Sequence, residues 1–210
     1  MPILADYYYQ TNGHKSDGHP IIYLHGSGRS ETDGADFLAR LGLRCSACLV
    51  RGPYSQRPGY GFVQRNEDHT LDHGQIRKDA AEFSHFLVEF AKHASHTSKA
   101  PILIGYSSGA IMAAATLWNK PSLIAGAVLL RPQSPSLESP SPLVGLPILL
   151  LSGLWDERRE PQDASDLEIQ LQQAGARVTH LTVKAGHAEA EDNSDSTYTR
   201  HWLEDCLFRL

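Results

Sequence analysis

The sequence predicts an α/β domain built on a mainly parallel β-sheet of about six or seven strands, with helices on both faces and no large lid. Short apolar runs recur along the chain, and most are continuous rather than alternating, as is typical of strands covered on both faces. Helical patterns lie between these runs. No shift in composition interrupts this rhythm, so residues 1–210 are predicted to form a single domain.

Six apolar runs, each bounded by Gly, Pro or His, predict the strands of this sheet. They cover residues 21–24, 48–50, 102–104, 127–130, 148–151 and 178–183. The last run alternates between apolar and polar residues, which indicates a position nearer an edge of the sheet. The tyrosine run at 7–9 predicts a further edge strand.

Helical patterns occupy the segments between the strands. They predict helices at residues 37–41, 75–96, 107–118, 167–174 and 197–210. The Ser/Pro-rich segment 132–142 is predicted to be a loop rather than a domain linker, because strands and helices resume after it. The polar stretch 52–74 is either the rim of an active site or a long surface connection.

The composition limits the classes of function. The chain has 210 residues, 41% of them hydrophobic, and a net charge of −5, as in an ordinary soluble globular domain. It lacks a long basic run, which argues against nucleic acid or an acidic membrane surface as its main partner. It also lacks an apolar run of membrane-spanning length and a signal-peptide pattern. Its three cysteines fit a reducing compartment, so we expect a cytoplasmic location.

Two of the cysteines, Cys45 and Cys48, form a C-x-x-C motif. The motif leads into the apolar run of a predicted strand rather than a helix N-terminus. We therefore expect two buried small hydrophobic residues and not a redox pair. A zinc site would need further ligands at suitable spacing, and the sequence has no second cysteine pair, so no metal site is predicted.

The segment 105–109 reads Gly-Tyr-Ser-Ser-Gly and lies between a predicted strand and a predicted helix. This Gly-x-Ser-x-Gly pattern is typical of a serine held out on a strained strand-to-helix turn, where a substrate carbonyl can reach its hydroxyl. A side chain at Gly105 or Gly109 would collide with the neighbouring strand or helix. The motif alone also fits an ordinary polar turn, so its context decides the interpretation.

A nucleophilic Ser107 needs a base, an acid that orients the base, and donors for the developing oxyanion. His187 follows the last predicted strand in a Gly-His step and is the candidate base. Asp156 follows the strand at 148–151 and is the candidate acid, with Glu157 and Asp163 as nearby competitors. The chain order Ser, Asp, His is the order expected for this architecture.

The oxyanion donors are predicted to be two backbone N–H groups. One is that of Ser108, the residue after the nucleophile. The other is that of Ser27, in the glycine-rich loop that follows the strand at 21–24. His25 opens this loop and is predicted to brace it rather than to take part in the reaction.

These segments together resemble the alpha/beta-hydrolase superfamily. Residues 24–28, 105–109, 153–156 and 186–187 fall in the order of its motifs. Within the superfamily the chain is similar to the small, lidless phospholipase/carboxylesterase and dienelactone-hydrolase-like group, which includes the acyl-protein thioesterases. The segment 157–161 departs from the family pattern, which often has a short path to a Val-Pro step there.

The resemblance implies the same roles for the same residues: Ser107 as nucleophile, His187 as base, Asp156 as acid, and Ser27 and Ser108 as oxyanion donors. It implies hydrolysis of a small-molecule ester or thioester through an acyl-enzyme, without a metal or an organic cofactor. Dienelactone hydrolases proper use a cysteine nucleophile, whereas this chain has a serine. A non-catalytic binding protein of the same fold and a peptidase or amidase are the alternatives, and the sequence leaves a homodimer open.

The polar stretch 52–74 and the residue before it supply the candidates for substrate binding. Arg51 and Arg65 are expected either to form part of a positive rim that accepts an acidic or phenolic substrate or to be scattered solvated charges. Tyr54 and Phe62 are expected either to line an acyl pocket or to pack the loop. The sequence does not name the substrate.

Overall fold

The computed structural model describes residues 3–14, 16–93, 99–137 and 141–206. In chain order its strands are β1 (Ile3–Leu4), β2 (Tyr7–Thr11), β3 (Ile21–Leu24), β4 (Ala47–Val50), β5 (Tyr54–Gln56), β6 (Gly59–Gly61), β7 (Ile102–Tyr106), β8 (Gly126–Leu130), β9 (Pro147–Gly153) and β10 (Arg177–Val183). Within these residues, eight strands form one sheet in the order β1-β2-β4-β3-β7-β8-β9-β10, and β5 and β6 form a separate hairpin.

The predicted fold class is confirmed. All six predicted strands are present and run parallel to one another, as β4, β3, β7, β8, β9 and β10. The tyrosine run forms β2, which pairs antiparallel with β4. The two-residue β1 lies outside β2 and brings the sheet to one strand more than predicted, because so short a strand leaves no pattern in the sequence.

The burial of the strands follows their place in the sheet. The central strands β3, β7 and β8 are buried along nearly their whole length, which explains their continuous apolar runs. The alternating strand β10 forms an edge beside β9, and most of its residues are half-buried or exposed. The predicted edge position of this strand is thus confirmed.

Five α-helices cover the sheet within the described residues. They are α1 (Gly34–Leu41), α2 (His73–His93), α3 (Ser108–Asn119), α4 (Asp163–Gln173) and α5 (Ser194–Cys206). Buried residues of α2, α3 and α4 pack on one face of the sheet, and those of α1 and α5 on the other. The predicted helical residues 94–96 and 207–210 lie outside the described part of the chain. None of the described helices has the length and apolar character needed to cross a membrane.

Cys45 and Cys48 are free thiols buried in the two cores that flank the sheet. Burial raises the pKa of both thiols, so both are held in the protonated form. The prediction that they act as small hydrophobic residues is confirmed.

Candidate active site

The parallel strands bring their carboxyl ends to one edge of the sheet, and the candidate catalytic residues lie there. Ser107 directly follows β7, Asp156 follows β9, and His187 follows β10. The loop after β3, which carries Ser27, lies at the same edge. Residues that are up to 160 positions apart in the sequence thereby lie around one point of the fold.

Ser107 occupies a strained turn between β7 and α3. Its φ of 53° and ψ of −108° place it in a conformation that non-glycine residues rarely adopt. A side chain on Gly109 would overlap the carbonyl oxygen of Leu24, and one on Gly105 would overlap the backbone at Gly109. Only glycine therefore lets the helix approach β3 and β7 closely enough to hold Ser107 in this turn.

Ser107, His187 and Asp156 form one hydrogen-bonded chain. The Ser107 Oγ lies 2.8 Å from the His187 Nε2. The His187 Nδ1 lies 2.9 Å and 3.0 Å from the two carboxylate oxygens of Asp156. With the Nδ1 proton directed at Asp156, the Nε2 is left to accept the proton of the serine hydroxyl. The competitors Glu157 and Asp163 have no such contact with His187 among the described residues.

The environment of His187 favours its neutral, basic form. Burial lowers the pKa of His187, and the hydrogen bond and charge of Asp156 oppose that effect. The positive charges of Arg159 and Arg158 lower the pKa further. A neutral imidazole beside the serine hydroxyl is the protonation state that general-base catalysis requires.

A fully buried arginine, Arg131, holds the loop that carries His187. Its Nε donates to the carbonyl oxygen of Gly186 at 2.9 Å, and its Nη2 donates to that of Ala188 at 2.8 Å. The carboxylate of Asp195 pairs with both of its Nη nitrogens, at 2.8 Å and 2.9 Å. The backbone on either side of His187 is therefore fixed by one bidentate ion pair.

Two further contacts complete this support. Asp195, in the first turn of α5, also accepts a hydrogen bond from the backbone N–H of Ala190 at 2.7 Å. The hydroxyl of Tyr106 donates to the carbonyl oxygen of His187 itself. Sequence reasoning missed Arg131 and Asp195, which are 64 positions apart and carry no motif of their own.

The loop after β3 lies against the nucleophile. A side chain on Gly26 would come within 3.6 Å of the Ser107 Cβ, so the backbone here approaches the serine closely. Within the described residues the backbone N–H of Ser27 donates to no backbone carbonyl, and that of Ser108 donates to none outside its own helix, whereas that of Gly28 donates to the carbonyl of Tyr60 at 2.8 Å. Both predicted oxyanion donors thus remain available at this edge of the sheet.

His25 braces this loop, as the sequence indicates. It is buried, its Nδ1 lies 2.7 Å from the carbonyl oxygen of Gly26, and the backbone N–H of Gly52 donates to its Nε2 at 3.0 Å. Since Nε2 accepts a hydrogen bond, the ring proton resides on Nδ1 and donates to Gly26. Burial lowers the pKa of His25, which keeps it neutral in this arrangement.

Three of the four candidate substrate-binding residues have partners within the protein. Arg51 forms a bidentate ion pair with the buried Glu31, with both nitrogen–oxygen distances at 2.6 Å. The Tyr54 hydroxyl donates to the carboxylate of Asp79 at 2.6 Å. Phe62 is fully buried, with its ring centroid 4.9 Å from that of His25. These contacts tie the three side chains to the fold, which is in line with the ion-pair and loop-packing alternatives.

The fourth candidate, Arg65, is exposed. It donates to the carbonyl oxygen of His69 at 2.7 Å and to the side chain of Gln133 at 3.2 Å. A second arginine, Arg159, lies closer to the nucleophile: its Nη2 donates to the Ser107 Oγ at 3.2 Å. Sequence reasoning missed Arg159, although it lies in the segment 157–161 that departs from the family pattern.

Two cavities adjoin the candidate catalytic residues. One of about 380 Å³ is bordered by Asp156, Arg159 and the exposed Trp155. The other, of about 260 Å³, is bordered by Gly26 and Tyr106. Cavities of this size can accept part of a small-molecule substrate.

The parallel sheet, the serine on its strand-to-helix turn and the chain order of the hydrogen-bonded residues define the alpha/beta-hydrolase fold. The resemblance seen in the sequence is confirmed by the solved structures that this chain matches, which are carboxylesterases and related alpha/beta hydrolases. No protein-family model matches the chain.

Two solved structures and one relative illustrate this similarity. A carboxylesterase from Bacillus cereus has a TM-score of 0.88 and 24% identity, covering 95% of this chain and 94% of that chain. A carboxylesterase from Mesorhizobium loti has a TM-score of 0.86 and 27% identity, covering 97% and 98%. The relative is the "Putative hydrolase MhqD" of Bacillus subtilis (strain 168), 24% identical over 189 residues, which make up 89% of this chain and 93% of that protein.

Proposed function

We propose that this protein hydrolyses carboxylic esters, or thioesters, through an acyl-enzyme formed on Ser107. The observation that carries the proposal is the continuous hydrogen-bonded chain from the Ser107 hydroxyl through His187 to Asp156. The strained turn holds that hydroxyl outside the helix, where a substrate carbonyl can reach it. The names of the similar carboxylesterases and hydrolase support the same reaction class.

The reaction begins when the Ser107 Oγ attacks the carbonyl carbon of the ester while the His187 Nε2 takes the hydroxyl proton. Asp156 orients the imidazole and stabilises the imidazolium that forms. The backbone N–H groups of Ser27 and Ser108 bind the oxyanion of the tetrahedral intermediate. The imidazolium then returns its proton to the leaving alcohol or thiol, and the bond to that group breaks.

The second half of the reaction releases the acid. A water molecule gives its proton to His187 and attacks the acyl-enzyme carbonyl, forming a second oxyanion at the same backbone donors. When this intermediate collapses, the bond to Ser107 breaks, the carboxylic acid leaves, and His187 returns the proton to the serine. No step needs an electron donor or acceptor, because the net reaction adds water across the ester bond.

Replacement of the nucleophile tests the proposal directly. Ser107→Ala is expected to lower kcat for a short p-nitrophenyl ester by a factor on the order of 10⁴ to 10⁶, because the covalent route is lost. Ser122→Ala, an exposed serine just before β8 at the edge of the sheet opposite Ser107, is the matched control and should keep wild-type turnover. Near-normal activity of Ser107→Ala would refute the assignment.

Covalent labelling separates an enzyme from a non-catalytic binding protein of the same fold. A fluorophosphonate probe should label the wild type at Ser107 and leave folded Ser107→Ala unlabelled, because only an activated serine attacks phosphorus at a useful rate. Folded wild-type protein that resists the probe would instead support a binding protein.

A further inference from the structure

The guanidinium of Arg159 is fixed beside the nucleophile by the backbone around it. Its Nε donates to the carbonyl oxygen of Arg131 at 2.9 Å, and its Nη1 donates to that of Arg158 at 3.2 Å. Its Nη2 then points to the Ser107 Oγ at 3.2 Å. An arginine has five N–H donors, so one N–H on each Nη nitrogen is left for a ligand.

This cation has no carboxylate partner in the described part of the chain. No oxygen of an Asp or Glu there lies within 4.0 Å of its nitrogens. The nearby Asp156 directs both carboxylate oxygens at His187, and the carboxylate of Asp163 accepts from the backbone N–H of Glu160. Burial lowers the pKa of Arg159, and the charges of Asp156 and Asp163 oppose that effect without forming an ion pair with it.

A second arginine increases the positive potential at this point. Beyond the larger effects of burial and of the opposing charges of Asp156 and Asp163, the charge of Arg65 also lowers the pKa of Arg159. Arg65 is held only by a carbonyl oxygen of His69 and the amide oxygen of Gln133, and it forms no ion pair among the described residues. An anion bound by the free Nη hydrogens of Arg159 would lie next to the reacting serine, and the charge of Arg65 would add to its attraction.

We infer that Arg159 is a specificity residue that binds a carboxylate of the substrate, so that the preferred substrates are esters of acidic molecules. The inference rests on the proposed ester hydrolysis and names the substrate class for the same site. The ester carbonyl lies at Ser107, and the carboxylate lies a few bonds away, paired with the free Nη hydrogens of Arg159 and assisted by Arg65.

The contact with Ser107 allows a different role, in which Arg159 stabilises the developing charge of every substrate alike. The two roles predict different results with matched esters. A carboxylate-binding Arg159 discriminates between an acidic and a neutral ester of the same length, whereas a general electrostatic role lowers the turnover of both by the same factor.

The test measures kcat/KM for three esters. Monophenyl adipate and phenyl hexanoate have acyl chains of the same length and differ only in a terminal carboxylate. The third ester, 3-carboxyphenyl hexanoate, carries its carboxylate on the alcohol side instead. In Arg159→Met the ratio of acidic to neutral turnover should fall by about tenfold or more for one of the acidic esters, mainly through KM. Arg159→Lys keeps the positive charge but loses the two-pronged guanidinium donor geometry, so it should give an intermediate ratio. Arg158→Met is the matched control, since Arg158 is the exposed neighbour, and its ratio should stay within about twofold of the wild type.

Each outcome separates this inference from the proposed function. If Arg159→Met and Arg159→Lys keep the wild-type ratio for both acidic esters, the carboxylate role is wrong while ester hydrolysis stands. If the wild type turns over none of the three esters, or Ser107→Ala turns them over as fast as the wild type, the proposed function fails. Adipate supplies a readout that needs no turnover: it should inhibit labelling of the wild type by the fluorophosphonate probe more strongly than labelling of Arg159→Met.

Discussion

Arg131 and Arg159 lie on the same side of the reacting centre and differ in how the protein treats their charge. Arg131 has no exposed surface, and a bidentate carboxylate from Asp195 neutralises it. Arg159 is partly buried, donates to two backbone carbonyls and to Ser107, and has no carboxylate within ion-pair distance among the described residues. The two are also linked, because Arg159 donates to the carbonyl oxygen of Arg131.

The comparison distinguishes an arginine whose charge is neutralised within the fold from one whose charge is available to a ligand. A buried charge that lacks an ion-pair partner costs free energy, and such charges are found most often at binding and catalytic sites. Arg131 is satisfied within the fold, so its role is to hold the His187 loop. Arg159 keeps free Nη hydrogens beside the reacting serine, which supports its proposed role in substrate binding.

The largest effect is expected when the paired arginine loses its partner. Asp195→Asn should lower the free energy of unfolding by about 3 kcal/mol or more, because the charge of Arg131 then stays buried without a countercharge. The variant should also lower kcat, since Arg131 positions the backbone on both sides of His187. Urea unfolding and ester turnover measure the two losses.

The matched control for this prediction is Asp36→Asn, an exposed aspartate in the first turn of α1. It should change the free energy of unfolding by less than about 0.5 kcal/mol. If Asp195→Asn is as mild as this control, Arg131 does not depend on its partner and the contrast with Arg159 disappears.

A smaller effect of opposite sign is expected for the arginine without a partner. Arg159→Met should leave the free energy of unfolding unchanged or raise it by about 1 kcal/mol, because an uncompensated charge is replaced by an apolar side chain of similar length. Thermal unfolding of Arg159→Met, Arg158→Met and the wild type measures the difference. A loss of more than about 1 kcal/mol in Arg159→Met alone would make Arg159 a structural residue like Arg131.

The sequence predicts the sheet and the hydrogen-bonded residues because both depend on local signals. A continuous apolar run is visible within a few residues, and Ser107, Asp156 and His187 each follow such a run. The β5–β6 hairpin escaped prediction, since part of its stability comes from hydrogen bonds with the distant loop at Gly28 and Arg29. Its glycines and prolines indicate only a turn.

The difference between paired and unpaired arginines could not be predicted. Arg51 directly precedes the polar stretch 52–74 and is a candidate binding residue in the sequence, which gives no sign that the fold pairs it with Glu31, 20 positions away. Arg131 meets its partner 64 positions along the chain. Charge pairing over such distances depends on the folded arrangement. The sequence alone therefore does not distinguish the paired arginines, Arg51 and Arg131, from Arg159, which has no ion-pair partner among the described residues.

The smallest expected effect is a shift in the pH dependence of activity, which arises because the charge of Arg159 changes the pKa of the candidate base His187. Burial, opposed by Asp156, lowers the pKa of His187 below its ordinary 6.5, and the charges of Arg159 and then Arg158 contribute in the same direction. Activity requires neutral His187, so the acid limb of kcat/KM for the wild type should lie below pH 6.5. Removal of a positive charge makes the imidazolium easier to form and therefore raises the pKa. Arg159→Met should thus shift the acid limb to higher pH, and Arg158→Met should shift it less.

The measurement uses a neutral ester, phenyl hexanoate, so that the substrate itself does not titrate across the profile. Asp195→Asn serves as the comparison, because Asp195 acts on His187 mainly through the contacts of Arg131 with the backbone of Gly186 and Ala188. Asp195→Asn should lower the maximum kcat/KM more than it shifts the pH of the acid limb. Arg159→Met should shift the pH of the acid limb. An acid limb that stays in place in Arg159→Met would show that the guanidinium is screened from His187 by solvent, and a shift to lower pH would contradict the placement of its charge beside the base.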